Sequence, residues 1–160
     1  MGASCSVNAF ECKRCIETDV VTHSQSTRLV DAARTGDVKA VAEASRQGAA
    51  ISAPDTHGWT ALHYGAAGGH LEVCQVLVGN GCDVNAILPD FSTPLMLAAE
   101  EGHLLVAKFL LENGALTKCK DEDGFTVQDR CDKSIEADFK TLLLQPGMDH
   151  SVAGKEAAVV

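Results

Sequence analysis

Three groups of residues have the types and spacing to do chemistry. The chain opens MGASCS, which satisfies M-G-x-x-x-[ST] with Gly2 as the amine to be myristoylated and Ser6 at the required place. Cys5 stands three residues away and is a thiol acceptor for palmitate. Cys12 and Cys15 form a CKRC pair, the spacing of a zinc or redox site, but only Cys5 and His23 are near as further ligands and no strand–helix unit surrounds the pair. Six histidines complete the inventory. No Gly-rich phosphate loop, Ser-His-Asp set or paired catalytic carboxylates can be read; Glu100 and Glu101 are neighbours in sequence and point in different directions on a helix. The sequence therefore predicts a protein that is not an enzyme, with no cofactor, no metal and no small-molecule substrate.

Composition narrows the partners. The net charge is −9, which argues against nucleic acid, because a phosphate backbone needs a basic face. No apolar run of about eighteen residues exists to span a bilayer. Residues 7–10 are interrupted by Asn8 and followed by Glu11, Lys13 and Arg14, unlike a secretory h-region, so the expected setting faces the cytosol. Seven scattered cysteines, an odd number, suit reduced thiols there. Cys74 and Cys131 read as small core hydrophobes, and Cys82 and Cys119 as solvent-reachable loop thiols.

The elements that must position any site come from an internal repeat. DTHGWTALHYGAAGGHLEVCQVLVGNGCDVNA (55–86) lies over LPDFSTPLMLAAEEGHLLVAKFLLENGALTKC (88–119) at a constant offset of 33 without a gap. Thr60 matches Thr93, Leu62 matches Leu95, His70 matches His103, and Gly81 matches Gly114. Leu29, Gly36 and Gly48 continue the period upstream, and Gly124, Thr126 and Leu143 downstream. Each unit reads as a short helix opened by a Thr cap, with Pro94 at a first helical position, then a second helix with apolar residues three and four apart, ended by Gly81 or Gly114.

This pattern resembles the ankyrin repeat over roughly residues 25–146. The likeness implies an all-α solenoid of stacked helix-turn-helix units with projecting β-hairpin loops, in units of about 25–54, 55–87, 88–120 and 121–146. Residues 1–24 are then an acylation tail and spacer, and 147–160 a mobile tail. Three positions depart from the pattern: Phe91 stands where the turn glycine belongs, Met96 where the histidine belongs, and Leu116 where the aspartate belongs. The last unit keeps DEDGFT at its head and then diverges, as a capping repeat must show water a polar face. By resemblance His63, His70 and His103 hydrogen-bond neighbouring loops, while His23 and His150 have no assigned task.

In such a stack the partner meets loop tips and inner helices. The first unit offers Arg34 and Thr35. The second offers Thr56, His57, Trp59, Ala67 and Gly68. Pro89, Asp90, Ser92, Glu100 and Glu101 follow from the third, and Glu122, Asp123 and Phe125 from the last. Trp59 and Phe125 read as exposed aromatic anchors among acids with little positive charge, so a basic protein segment with an apolar anchor is the expected partner. Residues 121–160 hold nine acidic and four basic side chains, a net −5.

The opening motif adds a membrane. One myristoyl chain gives only reversible binding, no polybasic patch is present, and an anionic leaflet repels a −9 protein, so palmitate on Cys5 is the expected second signal. The leading expectation is an adaptor held on a cytosol-facing membrane by acyl groups on Gly2 and Cys5. Two alternatives stand beside it. One is a soluble regulator, for the compact layout with LHYGA in the second unit and DGFT and DFKTLL in the last is similar to small ankyrin regulators of the myotrophin type and implies a role such as actin-capping control. The other is an accessory subunit whose cysteines sense redox state.

Overall fold

Helices of two turns do not hold themselves in water, because nucleation costs more than so few hydrogen bonds return. The computed structural model describes residues 26–145 and shows how these survive: they are stacked in two layers. Gly2, Cys5 and the Cys12/Cys15 pair lie outside the described residues, as do His23, His150 and the tail from 146. Eight helices are present among the described residues: α1 (26–35), α2 (Val38–Arg46), α3 (Ala61–Ala67), α4 (Leu71–Gly79), α5 (Pro94–Glu100), α6 (Leu104–Glu112), α7 (Val127–Arg130) and α8 (Glu136–Leu143). α3, α5 and α7 pack side by side as one layer, and α2, α4, α6 and α8 as the other.

The core lies between the layers and repeats with the sequence. Leu29, Leu62 and Leu95 are buried at steps of 33, as are Val73, Val106 and Phe139. Each buried leucine contributes roughly 2 kcal/mol. Ala49, Cys82 and Ala115 form a third buried series, just past the glycines that end α2, α4 and α6. There the chain closes a Schellman motif: the Cys82 N–H donates to the Leu77 carbonyl (3.0 Å) and the Gly81 N–H to Val78 (3.0 Å), with Gly81 at φ +86. The motif turns the next side chain back onto the helix, which is why Cys82 is buried and not solvent-reachable as its loop position suggested. Cys119 is half-buried and packs against the core, and Cys131 follows α7 as its C-terminal cap, also half-buried.

The loops between units are tighter than hairpins. Backbone bonds from Asp55 to Trp59 (2.8 Å), Leu88 to Ser92 (3.0 Å) and Asp121 to Phe125 (3.0 Å) each close one turn, and no strand is formed among the described residues. A ladder has no room to grow, because Thr60, Thr93 and Thr126 follow at once as extended N-caps of α3, α5 and α7.

The third residue of each of these helices receives the cap in three ways. His63 Nδ1 accepts the Thr60 N–H (3.2 Å), which places the ring proton on Nε2, facing the Ala86 carbonyl 3.2 Å away. Asp129 accepts both the Thr126 N–H (2.8 Å) and hydroxyl (2.7 Å). Met96 has no acceptor, and there the Thr93 hydroxyl takes the Met96 N–H (3.3 Å). His103 ties one unit to the next: its Nε2–H donates to the Ala67 carbonyl (3.0 Å) while the ring lies over Gly69, where a Cβ would sit 2.6 Å from Nδ1. The His70 ring lies against Gly36 in the same way. Asn85 bridges the second and third units by donating to the Gly114 carbonyl (3.1 Å) and accepting the Leu116 N–H (2.9 Å).

His63 makes the fold pH-sensitive. Burial pushes its imidazole down from the ordinary 6.5 to about 4, against the hydrogen bond to Ala86 and the charges of Asp90 and Asp55, which pull it up. The unfolded chain thus binds a proton that the folded chain refuses. Stability is complete above about pH 6.5 and falls by up to about 3 kcal/mol as pH drops from there to about 4. Urea midpoints between pH 7.5 and 4.5 should show this decline. His63→Gln, which keeps an acceptor for the cap, should flatten that window; an equally steep decline in the variant would clear His63 of the effect.

Candidate protein-interaction surface

The surface is built from the turns that precede α3, α5 and α7, which lie edge to edge. A Cβ on Gly58 would come within 2.9 Å of the Pro89 ring, so the first and second tips touch. The Glu122 N–H donates to the Asp90 carbonyl at 2.9 Å, which ties the second tip to the third. Pro89, Asp90, Glu122 and Asp123 are exposed along this ridge, and Glu100 and Glu101 are exposed at the end of α5. Arg34 and Thr35 end α1. Thr35 is turned onto its own helix, its hydroxyl donating to the Asp31 and Ala32 carbonyls. An open groove of about 570 Å³ between α1 and the first turn brings Arg34 to Thr56 and His57.

The anchor residues do not behave alike. Trp59 is half-buried: its ring rests on Tyr64 at 4.9 Å and meets His63 edge-on at 6.1 Å. The Asp55 carboxylate organises this corner, accepting from the N–H groups of His57 (2.8 Å) and Trp59 (2.9 Å) and from the Tyr64 hydroxyl (2.7 Å). Burial raises the Asp55 carboxyl, but those bonds outweigh it and hold the group below the usual carboxylate range. Trp59 is therefore committed to the fold, which corrects its reading as an exposed anchor. Ser92 occupies the equivalent place and is buried as well, its N–H given to Asp90 (3.0 Å). Phe125, the third equivalent, is 49 % exposed and stays an anchor. Ala67 is half-buried and Gly68 exposed, at the turn from α3 to α4.

Arg130 is the residue that sequence reasoning missed. It sits at the end of α7 and collects three acids: Asp121 at 2.6 Å, Asp123 at 3.2 Å and Glu100 at 3.6 Å, with its guanidinium 5.8 Å from the Phe125 ring. Asp121 is the buried member, its side chain 1 % exposed. Burial raises its carboxyl, yet the Phe125 N–H and Arg130 prevail and lower it. Among the described residues Arg130 is the one cation paired on this face: its single charge is shared by three carboxylates, which leaves the face strongly acidic, as expected. Asp90, Glu101 and Glu122 are in no ion pair among the described residues. The signal was available: Arg130 lies nine residues after Asp121 on a short helix that must fold back over its own turn.

The four cysteines among the described residues offer no activated thiol. Burial pushes Cys74 up to about 12 and raises Cys82, Cys119 and Cys131, so each holds its proton more firmly than a free thiol. No cluster of three or more metal-ligating side chains occurs among the described residues.

The family model for ankyrin repeats (3 copies) matches residues 3–88 and again 29–123. The chain is an ankyrin-repeat protein. It is 34% identical over 143 residues to the E3 ubiquitin-protein ligase Ufd4 of Drosophila melanogaster, covering 84% of this chain and 5% of that one. It is 35% identical over 121 residues to the ankyrin repeat and KH domain-containing protein mask-1 of Caenorhabditis elegans, covering 75% and 5%. It is 32% identical over 118 residues to the mouse RelA-associated inhibitor, covering 72% and 14%. The chain thus spans only a small part of the length of these relatives. What it shares with them is the ankyrin stack, a module for binding proteins.

Arg130→Met leaves Asp121 buried without its cation. Thermal melts should show a loss of about 2–4 °C, shrinking in 0.5 M salt because the wild-type pairs are partly exposed and screened. An unchanged melting temperature in low salt would show that Asp121 is held by the Phe125 N–H alone.

Proposed function

We propose that this chain is a non-catalytic adaptor whose ridge of turn tips captures a basic protein segment, and that acyl groups on Gly2 and Cys5 hold it on a cytosol-facing membrane. The observation that carries the first part is the unpaired acid along the ridge: Asp90, Glu101 and Glu122 are exposed and in no ion pair among the described residues, beside the exposed Phe125 ring. Carboxylates left unmatched on a rigid scaffold steer and select a cationic partner. Asp90→Lys with Glu122→Lys should weaken binding of an arginine-rich peptide bearing one leucine by about tenfold at physiological salt, with a shallower salt dependence. Equal affinity in fluorescence titrations would remove the ridge from consideration.

The membrane part rests on the sequence at residues 1–6. None of the helices among the described residues is long and apolar enough to cross a membrane. Gly2 takes the myristoyl chain, and Cys5 takes the palmitoyl chain that makes binding persistent. Wild-type protein should pellet with membranes and incorporate labelled myristate. Gly2→Ala should lose both properties, and Cys5→Ser should exchange off the membrane. If all three remain in the supernatant, the tether is disproved.

A further inference from the structure

Phe91 is the one non-glycine residue with a positive φ (62°) among the described residues. Its equivalents one unit before and after are Gly58 (φ +85) and Gly124 (φ +83). The turn itself is the same in all three: the Phe91 N–H donates to Leu88 (2.9 Å), as Gly58 donates to Asp55 (3.1 Å) and Gly124 to Asp121 (3.0 Å). A bulky side chain in the left-handed region is strained, and glycine adopts it freely. Core burial does not account for the strain, for Phe91 is 54 % exposed. The same turn has also lost its carboxylate: Leu88 stands, buried, where Asp55 and Asp121 cap their turns, and exposed Ile87 precedes it. Local sequence thus contradicts local structure at this tip alone, the pattern left by a functional residue held in place by its surroundings.

We propose that Phe91 is the protruding anchor of the partner interface and that the partner presents an apolar pocket with a basic rim. The identity of the rim follows from charge: Asp90 precedes the ring, and Glu122 is bonded through its N–H to the Asp90 carbonyl. This deepens the proposed ridge and rests on it: it adds to Phe125 a second aromatic anchor on this chain, at the tip of the neighbouring turn. Fixed aromatics at the centre of a charged surface carry a disproportionate share of binding energy.

The two halves of the claim have opposite signs in one variant. Phe91→Gly relieves the backbone and should raise the melting temperature of the full chain by about 2–4 °C. Phe91→Asn, which tolerates the same φ, should not lower it. For binding, the photo-cross-linker p-benzoylphenylalanine is placed at position 91 in cells, with position 72 on the far layer as control, and the captured protein is then purified and titrated. Phe91→Gly should lose about 30-fold in affinity for it. Cross-linking no stronger than from position 72, affinity unchanged in Phe91→Gly, or a fall in its melting temperature each overturns the anchor. If Asp90→Lys with Glu122→Lys weakens binding while Phe91→Gly does not, the ridge stands and the anchor falls. If neither does, both fall.

Discussion

Everything in this protein depends on the fact that no unit can bury its own apolar face. A seven-residue helix followed by a nine-residue helix exposes as much as it hides until another unit covers it. The 33-residue period is the arithmetic consequence: Leu62 and Leu95 must fall at the same depth in successive units or the layers do not mesh. The polar ties serve that registration. His103 reaches back to the Ala67 carbonyl, His63 holds the Ala86 carbonyl, and Asn85 spans to Gly114 and Leu116. All three act between segments more than twenty residues apart: those of His103 and Asn85 cross from one unit to the next and reward stacking, and that of His63 closes its own unit over α3.

That division explains what could be read from the sequence. The repeating helices, the Thr caps and the His70 and His103 contacts are set by residues that recur at a fixed offset, so one unit annotates the next. Burial of Cys82 was legible by the same means, since Ala49 and Ala115 mark its place as small and apolar, but its position after a glycine suggested a loop. The roles of Trp59 and Arg130 were not legible from the period, though the spacing of Arg130 from Asp121 hinted at one of them. Each lies outside the repeating set, and its role is decided by one neighbour: the Tyr64 ring in one case, the Asp121 carboxylate in the other. A period predicts what is common to the units and is silent about contacts made once.

The departures are therefore the places where this chain differs from any other stack. Met96 replaces the imidazole of His63 and cannot accept the Thr93 N–H, so the cap is reduced to the Thr93 hydroxyl on the Met96 N–H. Leu116 replaces an aspartate, and with it goes the carboxylate that in Asp83 accepts the N–H two residues on. Both changes drop a bond and leave the backbone conformation ordinary. Phe91 differs: its backbone stays at φ 62 while the residue is 54 % exposed. A substitution that strains the backbone says more about function than one that only drops a bond.

Arg130 sharpens the contrast between the two sides of the same ridge. By gathering Glu100, Asp121 and Asp123 it fixes the last turn against α5 and offsets one of their three charges. Asp90, Glu101 and Glu122 are left to set the sign of the surface. A charged patch without such sorting attracts any polycation. A patch thinned to a few acids around the Asp90–Glu122 backbone bond, with a strained aromatic beside it, has a shape as well as a sign. Selectivity in an ankyrin stack has to come from features of this kind, because the rest of the surface is dictated by the need to stack.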